Sequence, residues 1–425
     1  MEENKTAAAP AQSRGDLFDK CRAFTRAKEM MHKGCYPYFT PLHDTEGSVV
    51  TVDDRRLVMA GSNNYLGLTT HPKVRLAAMD ALARYGTSCT GSRFLNGTLD
   101  RHQELDRRMA GFVGKEAAIC FSTGYQTNLG VISALVGRND IVVADKEAHA
   151  SVVDGCGLSR GTMKRFSHND VDHLDYVLEK NAGPEGVLVV VDGVYSMGGD
   201  IAPLPELLEV TKRRGARLLV DDAHSLGVLG KDGRGTADHF GVTDEVDLIM
   251  GTFSKSCASL GGVIAGDENV IHFIQHTARS LIFSASMPAA NVAAVLAAVE
   301  VMETEPEWME RLWSNTHYMH QGLRGLGFDI GPTETPVIPV ILGDDELTIR
   351  FWQGLYEEGV YTNPVLAPAV PPGGQRLRTS YMATHTREHL NHILRAFEEV
   401  GVETGVIARR AAQPGAKASY CPLSA

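Results

Sequence analysis

Polar and ionisable side chains gather just after five short apolar runs, and that placement sets the chemistry open to this chain. AAICFST (117–123) leads into Gly124 and Tyr125, then Gln126, Thr127 and Asn128. DIVVAD (140–145) leads into KEAHAS with His149, and GVLVVVDG (186–193) into VYSMGGD with Ser196. ARLLVDD (216–222) brings Asp221 and then His224, and VDLIMGT (246–252) ends on Thr252 before Ser254 and Lys255. An acid after one run and a lysine after the next suit a carbonyl cofactor held as a Schiff base. The lysine forms the imine and the acid pairs with a pyridinium nitrogen, the partnership expected for pyridoxal phosphate. Hydroxyls at Thr252 and Ser254, with the backbone N–H groups after Thr123, would hold its phosphate. Each piece alone has a plainer explanation: a solvated lysine, a core histidine, an aspartate capping a helix. The combination is what carries the reading.

The elements that must position these residues follow from the runs themselves. Strands that read as continuous apolar stretches are buried on both faces, as in parallel sheets flanked by helices. Helical segments such as 101–113 and 204–214 separate them. The expected architecture over 61–300 is therefore a large, open, doubly wound α/β domain, with its ligand site at the carboxyl ends of the strands. Residues 301–402 lose the strict alternation. A long helix near 306–325, strands near 336–342 and 376–382 and a helix at 387–400 predict a smaller α+β domain. Ahead of both, the sequence predicts a tail over 1–15, one amphipathic helix over 16–33 and a small hairpin turning at Asp53-Asp54, so that 1–60 forms an N-terminal extension. Residues 403–425 read as a second tail.

Composition excludes other classes. The 425 residues carry a net charge of −11, with no Lys/Arg stripe, which argues against nucleic-acid binding and a polybasic membrane anchor. Hydrophobic residues make up 43% and charged residues 22%, so a packed globular chain is expected. The seven cysteines are scattered without a CxxC pair, so neither a disulfide framework nor a zinc site is expected, and no metal is assigned. No secretory signal or membrane span is legible, and the reading is a soluble, cytoplasmic enzyme in a reducing compartment. Gly157–Gly161 satisfies the GxSxG pattern of hydrolases, but a helix-like segment rather than a buried strand precedes it. Cys257, close to Lys255, is read as a small packed residue rather than a reactive thiol.

With the motifs assembled, the chain resembles the α-oxoamine synthase family of fold-type-I pyridoxal-phosphate enzymes over about 16–402. The resemblance rests on SNNYLGL (62–68), TGSRFLNGTLDRHQELD (90–106), FSTGYQTNLG (121–130), HASVVDG (149–155), DGVYSMGGD (192–200), VDDAHSLGVLG (220–230), GTFSKS (251–256) and RTSYMATHT (378–386). It implies a large, mostly parallel sheet domain with a smaller C-terminal α+β domain. SRFLNGT, GTFSKS and NPVLAPAVPPG (363–373) look most like the bacterial branch that condenses L-serine with palmitoyl-CoA, the first step of sphingolipid synthesis. The alternative is a sister synthase that uses another small amino acid and acyl-CoA, such as one making 8-amino-7-oxononanoate or 2-amino-3-ketobutyrate.

The resemblance also implies roles. Lys255 is similar to the lysine that attaches the cofactor and moves the substrate Cα proton, and Asp221 to the partner of the ring nitrogen. His224 and Ser196 match residues at the phenolic oxygen, and His149 matches the histidine stacked on the ring that also touches the amino-acid carboxylate. Gly124, Tyr125, Thr252 and Ser254 match the phosphate-binding positions, and Ser284 one given to the phosphate of a neighbouring subunit, which implies a homodimer with sites at its interface. Arg378 matches the arginine that receives the substrate carboxylate, and Asn64 is grouped with it and His149 on the substrate side. Leu366 stands where one branch carries a further arginine, which leaves Arg378 as the main carboxylate ligand. Asp222 stands where glutamate is common and is expected to face away from the cofactor. Peripheral contact with a membrane is compatible with a lipid-chain substrate.

Overall fold

The computed structural model describes residues 15–408, which fall into two units divided between Pro41 and Leu42. Of the predicted tails, 1–14 and 409–425 lie outside the described residues, whereas 403–408 is no tail: Glu403 ends the helix Arg387–Glu403 and Ile407 packs into the C-terminal core. In the first unit, the single helix expected over 16–33 is instead two short ones, Asp19–Arg22 and Arg26–His32. The break falls at 23–25, and polar side chains tie each short helix to itself on either side of it. Asp16 takes the Phe18 N–H at 2.9 Å and the Arg22 guanidinium at 2.7 Å, while the Thr25 hydroxyl donates to Glu29 at 2.7 Å.

The second unit opens with β1 (Asp44–Glu46), β2 (Val49–Val52) and β3 (Arg55–Met59), paired antiparallel. Asp53 and Asp54 turn the β2–β3 hairpin at φ 45° and 63°, the left-handed pair such two-residue turns need and that aspartate tolerates.

A seven-stranded sheet follows, from β4 (Ala117–Phe121), β5 (Ile141–Asp145), β6 (Thr162–Phe166), β7 (Val187–Asp192), β8 (Arg217–Asp221), β9 (Leu248–Thr252) and β10 (Gly262–Gly266). Their order is β4-β10-β9-β8-β7-β5-β6. Strands β6, β5, β7, β8 and β9 pair in parallel, and β10 is antiparallel to both its neighbours. The apolar runs are explained by what each face meets. Val142, Ala144, Leu188, Val190 and Leu219 pack into a core on one side, whereas Val143, Val189, Val191, Leu218 and Val220 pack into a core on the other. Side chains alternate faces at every residue, and both faces are covered. This is the doubly wound α/β arrangement that the runs predict.

Two strands of this sheet escape the sequence reading. β6 is an edge strand whose Thr162 and Arg165 are exposed, so it has no apolar run. β10 is fully buried but is bounded by Gly262 and Gly266, residues that read as turn.

Toward the C-terminus, β11 (Val337–Ile341), β12 (Val360–Tyr361), β13 (Asn363–Val365) and β14 (Arg376–Ser380) complete the strands. β11, β14 and β13 form a small antiparallel sheet, and β12 extends the hairpin sheet in parallel with β3. Helices Glu307–Leu326, Asp345–Glu357 and Arg387–Glu403 pack around Phe328, Phe351 and Phe397, whose rings lie 5.6–5.8 Å apart. Residue 300, where the sequence pattern changes, lies inside the helix Ala289–Thr304.

Candidate active site

The carboxyl ends of β4, β5, β7, β8 and β9 meet at one cavity of about 240 Å³. After β4, Thr123 caps the helix Gly124–Leu135 by accepting the Gln126 N–H at 3.1 Å. The start of this helix is pressed against the sheet. A Cβ on Gly124 would sit 2.6 Å from Thr252 Oγ1, and one on Gly262 only 2.7 Å from Gly124 Cα. Thr252 Oγ1 lies 3.0 Å from Ser254 Oγ. Two hydroxyls therefore sit beside a helix N-terminus, where free N–H groups and the helix dipole favour an anion.

After β5, His149 caps the helix Ala150–Leu158, its Nδ1 accepting from the Ser151 N–H at 3.2 Å and lying 2.8 Å from Ser151 Oγ. Burial holds the imidazole below its ordinary pKa. Tyr125, from the neighbouring helix, lies edge-on to it at 6.3 Å and donates its hydroxyl to Asp154.

β7 and β8 end on a pair of carboxylates, Asp192 opposite Asp221 in the register. Asp221 Oδ2 accepts from Asn128 Nδ2 at 2.7 Å and Oδ1 from the Ala223 N–H at 3.0 Å. Asn128 also donates to Ser151 Oγ at 2.9 Å, and its own Oδ1 is buried without a partner. Burial, and then the charge of Asp221, push the Asp192 carboxyl well above the usual range. Asp222 turns the other way, accepting from the Thr236 N–H at 3.0 Å and from the Ser225 hydroxyl. It faces away from the cavity, as expected, and burial pushes it up to about 6.

Lys255 follows β9 and lines the cavity with Asp221. Burial pushes its ammonium down to about 7 against the pull of Asp221, and Arg378 adds to the depression. Among the described residues it has no ion-pair partner. An amine half-neutral near pH 7, beside a buried carboxylate and an anion seat, is equipped to attack a carbonyl compound that carries a phosphate.

Eight of the expected site residues line this cavity: Gly124, Tyr125, His149, Asp221, His224, Thr252, Ser254 and Lys255. The other four do not line it. Arg378 is linked to it through Tyr65 and His224, and Ser196 through Arg378, while no hydrogen bond among the described residues joins Ser284 or Asn64 to a lining residue. Arg378, buried on β14, donates through Nε to the Ser196 carbonyl at 2.7 Å and through Nη2 to the Tyr65 hydroxyl at 3.4 Å. Tyr65 in turn lies 2.7 Å from His224 Nδ1. Ser196 thus meets Arg378 through its carbonyl. Ser284 Oγ accepts from Gln126 Nε2 at 3.1 Å, in the first turn of the helix after β4. Asn64 Nδ2 donates to Thr69 Oγ1 at 2.8 Å, and its Oδ1 is buried without a partner.

Sequence reasoning named Asn128 without a role and missed Ser151, Asp192 and Tyr65, although each lies inside a motif already singled out. Both competing sites are inert. Ser159 ends the helix Ala150–Leu158, with Oγ bonded to the Cys156 carbonyl at 2.7 Å. The Cys257 thiol is pushed up to about 12 by burial, too high for a nucleophile at neutral pH.

The Aminotransferase class I and II family matches residues 56–397. The serine palmitoyltransferase of Sphingobacterium spiritivorum is 49% identical over 396 residues, 92% of this chain and 99% of that one. The 8-amino-7-oxononanoate synthase of Exiguobacterium sibiricum is 42% identical over 383 residues, 90% of this chain and 98% of that one. Among solved structures, a serine palmitoyltransferase variant from S. paucimobilis with a bound PLP–myriocin aldimine superposes with a TM-score of 0.89. It is 36% identical, over 92% of this chain and 100% of that one.

Proposed function

Because the chain belongs to the class I and II aminotransferase family, we propose that it is a pyridoxal-phosphate-dependent acyltransferase. It joins L-serine to palmitoyl-CoA, or a similar long-chain acyl-CoA, and releases CO2 and CoA. The observation that carries this reading is the convergence of Lys255, Asp221 and the Gly124 helix start on one cavity. The similarity to serine palmitoyltransferases over nine-tenths of the chain supports the substrates.

The residues present fit the cofactor. A Cβ on Gly124 would crowd the Thr252 hydroxyl where the phosphate seat lies, and the buried Asp221 carboxylate can hold a ring N–H. When bound, pyridoxal phosphate supplies a carbonyl for the lysine amine and a protonated ring that takes up electrons as the substrate Cα–H bond breaks. Gly124, Tyr125, Thr252 and Ser254 would hold the phosphate in this reading, and His149 would stack on the ring. His224 and Ser196 would serve the phenolic oxygen, and Ser284 would serve the phosphate of a neighbouring subunit. Arg378 receives the serine carboxylate, with Asn64 on the same side. Lys255 Nζ, once neutral, accepts the Cα proton. Cα then bonds to the acyl carbonyl carbon as CoA leaves with the sulfur electrons, the carboxylate departs as CO2, and Lys255 returns a proton to Cα. Holding these groups in place converts a three-body encounter into a local one.

A homodimer and a cytoplasmic location belong to the same reading. The exposed Leu95 and Phe283, on the segments that carry SRFLNGT and Ser284, support an interface there. Among the described residues no helix is long and apolar enough to cross a membrane.

The test is CoA release across a panel of amino acids and acyl-CoAs, with product masses. L-serine with palmitoyl-CoA is expected to be fastest. Faster turnover of alanine with pimeloyl-CoA, or of glycine with acetyl-CoA, would reassign the chain to a sister synthase, a possibility kept open by the 42% identical relative. Arg378 gives a narrower expectation. Arg378→Ala should weaken serine binding about ten- to a hundredfold, the worth of a charged hydrogen-bonding partner, and leave cofactor absorbance unchanged. Arg378→Lys should recover only part of it, because a point charge cannot reproduce the guanidinium fork. Unchanged serine affinity in Arg378→Ala would move carboxylate recognition elsewhere.

A further inference from the structure

Behind the cavity, on the loop after β6, His168 joins two strand-end segments that carry site residues. Its Nδ1 lies 3.1 Å from Asp145 Oδ1 at the end of β5, and its Nε2 lies 2.9 Å from Asp200 Oδ2 on the loop after β7. Glu147 Oε2 lies 3.9 Å from the same Nε2. A ring with a carboxylate at each nitrogen must donate from both, which makes it an imidazolium. Although burial opposes the charge, the bonds to Asp145 and Asp200 outweigh it and raise His168 to about 10. The neighbouring Asn169 doubles the connection. Its N–H donates to Asp145 Oδ2 at 2.9 Å and its Nδ2 to Asp200 Oδ2 at 2.8 Å. The buried Tyr195 ring closes the cluster, edge-on to the imidazole at 4.3 Å.

Both tethered segments lead to the site. From Asp145 the chain runs four residues to His149. The Tyr195–Asp200 segment, closed by a bond from the Tyr195 N–H to the Asp200 carbonyl at 3.0 Å, carries Ser196 and Met197. Their carbonyls accept from Arg378 Nε at 2.7 Å and from Arg376 Nη1 at 3.1 Å. Two arginines on β14 thus hold this loop from one side and His168 holds it from the other.

We propose that His168 is a positioning residue for the amino-acid substrate: by pinning the loop after β7 to the end of β5, it fixes the Ser196 carbonyl that orients Arg378. The substrate part rests on the function proposed above. The pinning does not.

Two measurements on the full-length holoenzyme test it, using His168→Gln and the milder Asp200→Asn, which removes one of the two carboxylate partners. The first is hydrogen exchange. Peptides covering 145–150 and 193–200 should exchange faster in either variant, while peptides of the helix Arg387–Glu403 stay unchanged. The second is a double-variant cycle on serine KM. Each change should raise KM about tenfold with Arg378 present, since a small misplacement of a binding group is costly. In an Arg378→Ala background the same change should cost less than about twofold. Cofactor content should match the wild type throughout. Unchanged exchange in both segments overturns the pinning, and additive KM effects overturn the action through Arg378. If His168→Gln does not fold, Asp200→Asn decides both points. A wild type that turns over no serine but does use another amino acid would sink the substrate assignment alone, and the exchange result and a cycle run on that amino acid would still judge the proposal.

Discussion

Lys255→Ala is expected to abolish CoA release, by at least about 10³–10⁴-fold, because it removes both the amine that attaches the cofactor and the group that moves the proton. Borohydride reduction of the wild-type holoenzyme followed by peptide mapping should place a pyridoxyl group on Lys255 and on no other lysine. The environment of the amine adds a second expectation. Its pKa of about 7 reflects burial and the nearby Arg378 working against Asp221. Only the neutral amine attacks a carbonyl, and it becomes neutral as pH rises through that value. Cofactor uptake by the apoprotein should therefore accelerate from pH 6 to 8 and level off above, whereas an ordinary lysine would keep gaining up to pH 10. A modified lysine elsewhere would end the proposed mechanism.

Asp221→Asn is expected to cut turnover by about 10²–10³-fold, the equivalent of removing one partner from a buried charge pair. Folding should survive at some cost in thermal midpoint, because the new amide oxygen can serve only one of the two donors that Asp221 accepts, Asn128 Nδ2 at 2.7 Å and the Ala223 N–H at 3.0 Å. Steady-state CoA release and the thermal midpoint separate these effects. Turnover near wild type would pass the role to Asp192, which stands opposite Asp221 on β7. Asp222 is a poor substitute, because its carboxylate is already committed to Thr236 and Ser225 on the other side.

Much of this site could be read before any coordinates, for a physical reason. Parallel strands buried on both faces leave a continuous apolar signature, and their carboxyl ends are where a chain must place its chemistry, so the residues after each run named themselves. What stayed hidden depends on register and tertiary reach. Nothing local marks Asp192 as the neighbour of Asp221 until β7 and β8 are aligned. Asn128 reaches a carboxylate 93 residues away in sequence. Ser196 was legible as a hydroxyl, whereas its carbonyl makes the bond to Arg378. The helix over 16–33 failed in the opposite direction, since apolar spacing was present but the helix breaks at 23–25, with local polar bonds from Asp16 and Thr25 on either side.

The contacts of Tyr65 fix more than its own position. Arginine carries only donors, so the Tyr65 oxygen accepts from Arg378 and keeps a single hydrogen to give. His224 Nδ1 is 2.7 Å away, whereas Asn63 Oδ1 at 3.5 Å is too far for a good O–H···O bond. The hydrogen therefore points at Nδ1. Burial keeps the imidazole uncharged. Its remaining proton must then sit on Nε2, which selects one of the two tautomers. A ring that presents N–H rather than a lone pair welcomes an oxygen anion and repels a second donor. Ligand polarity beside His224 thus follows from the direction of one hydroxyl rotor, that of Tyr65.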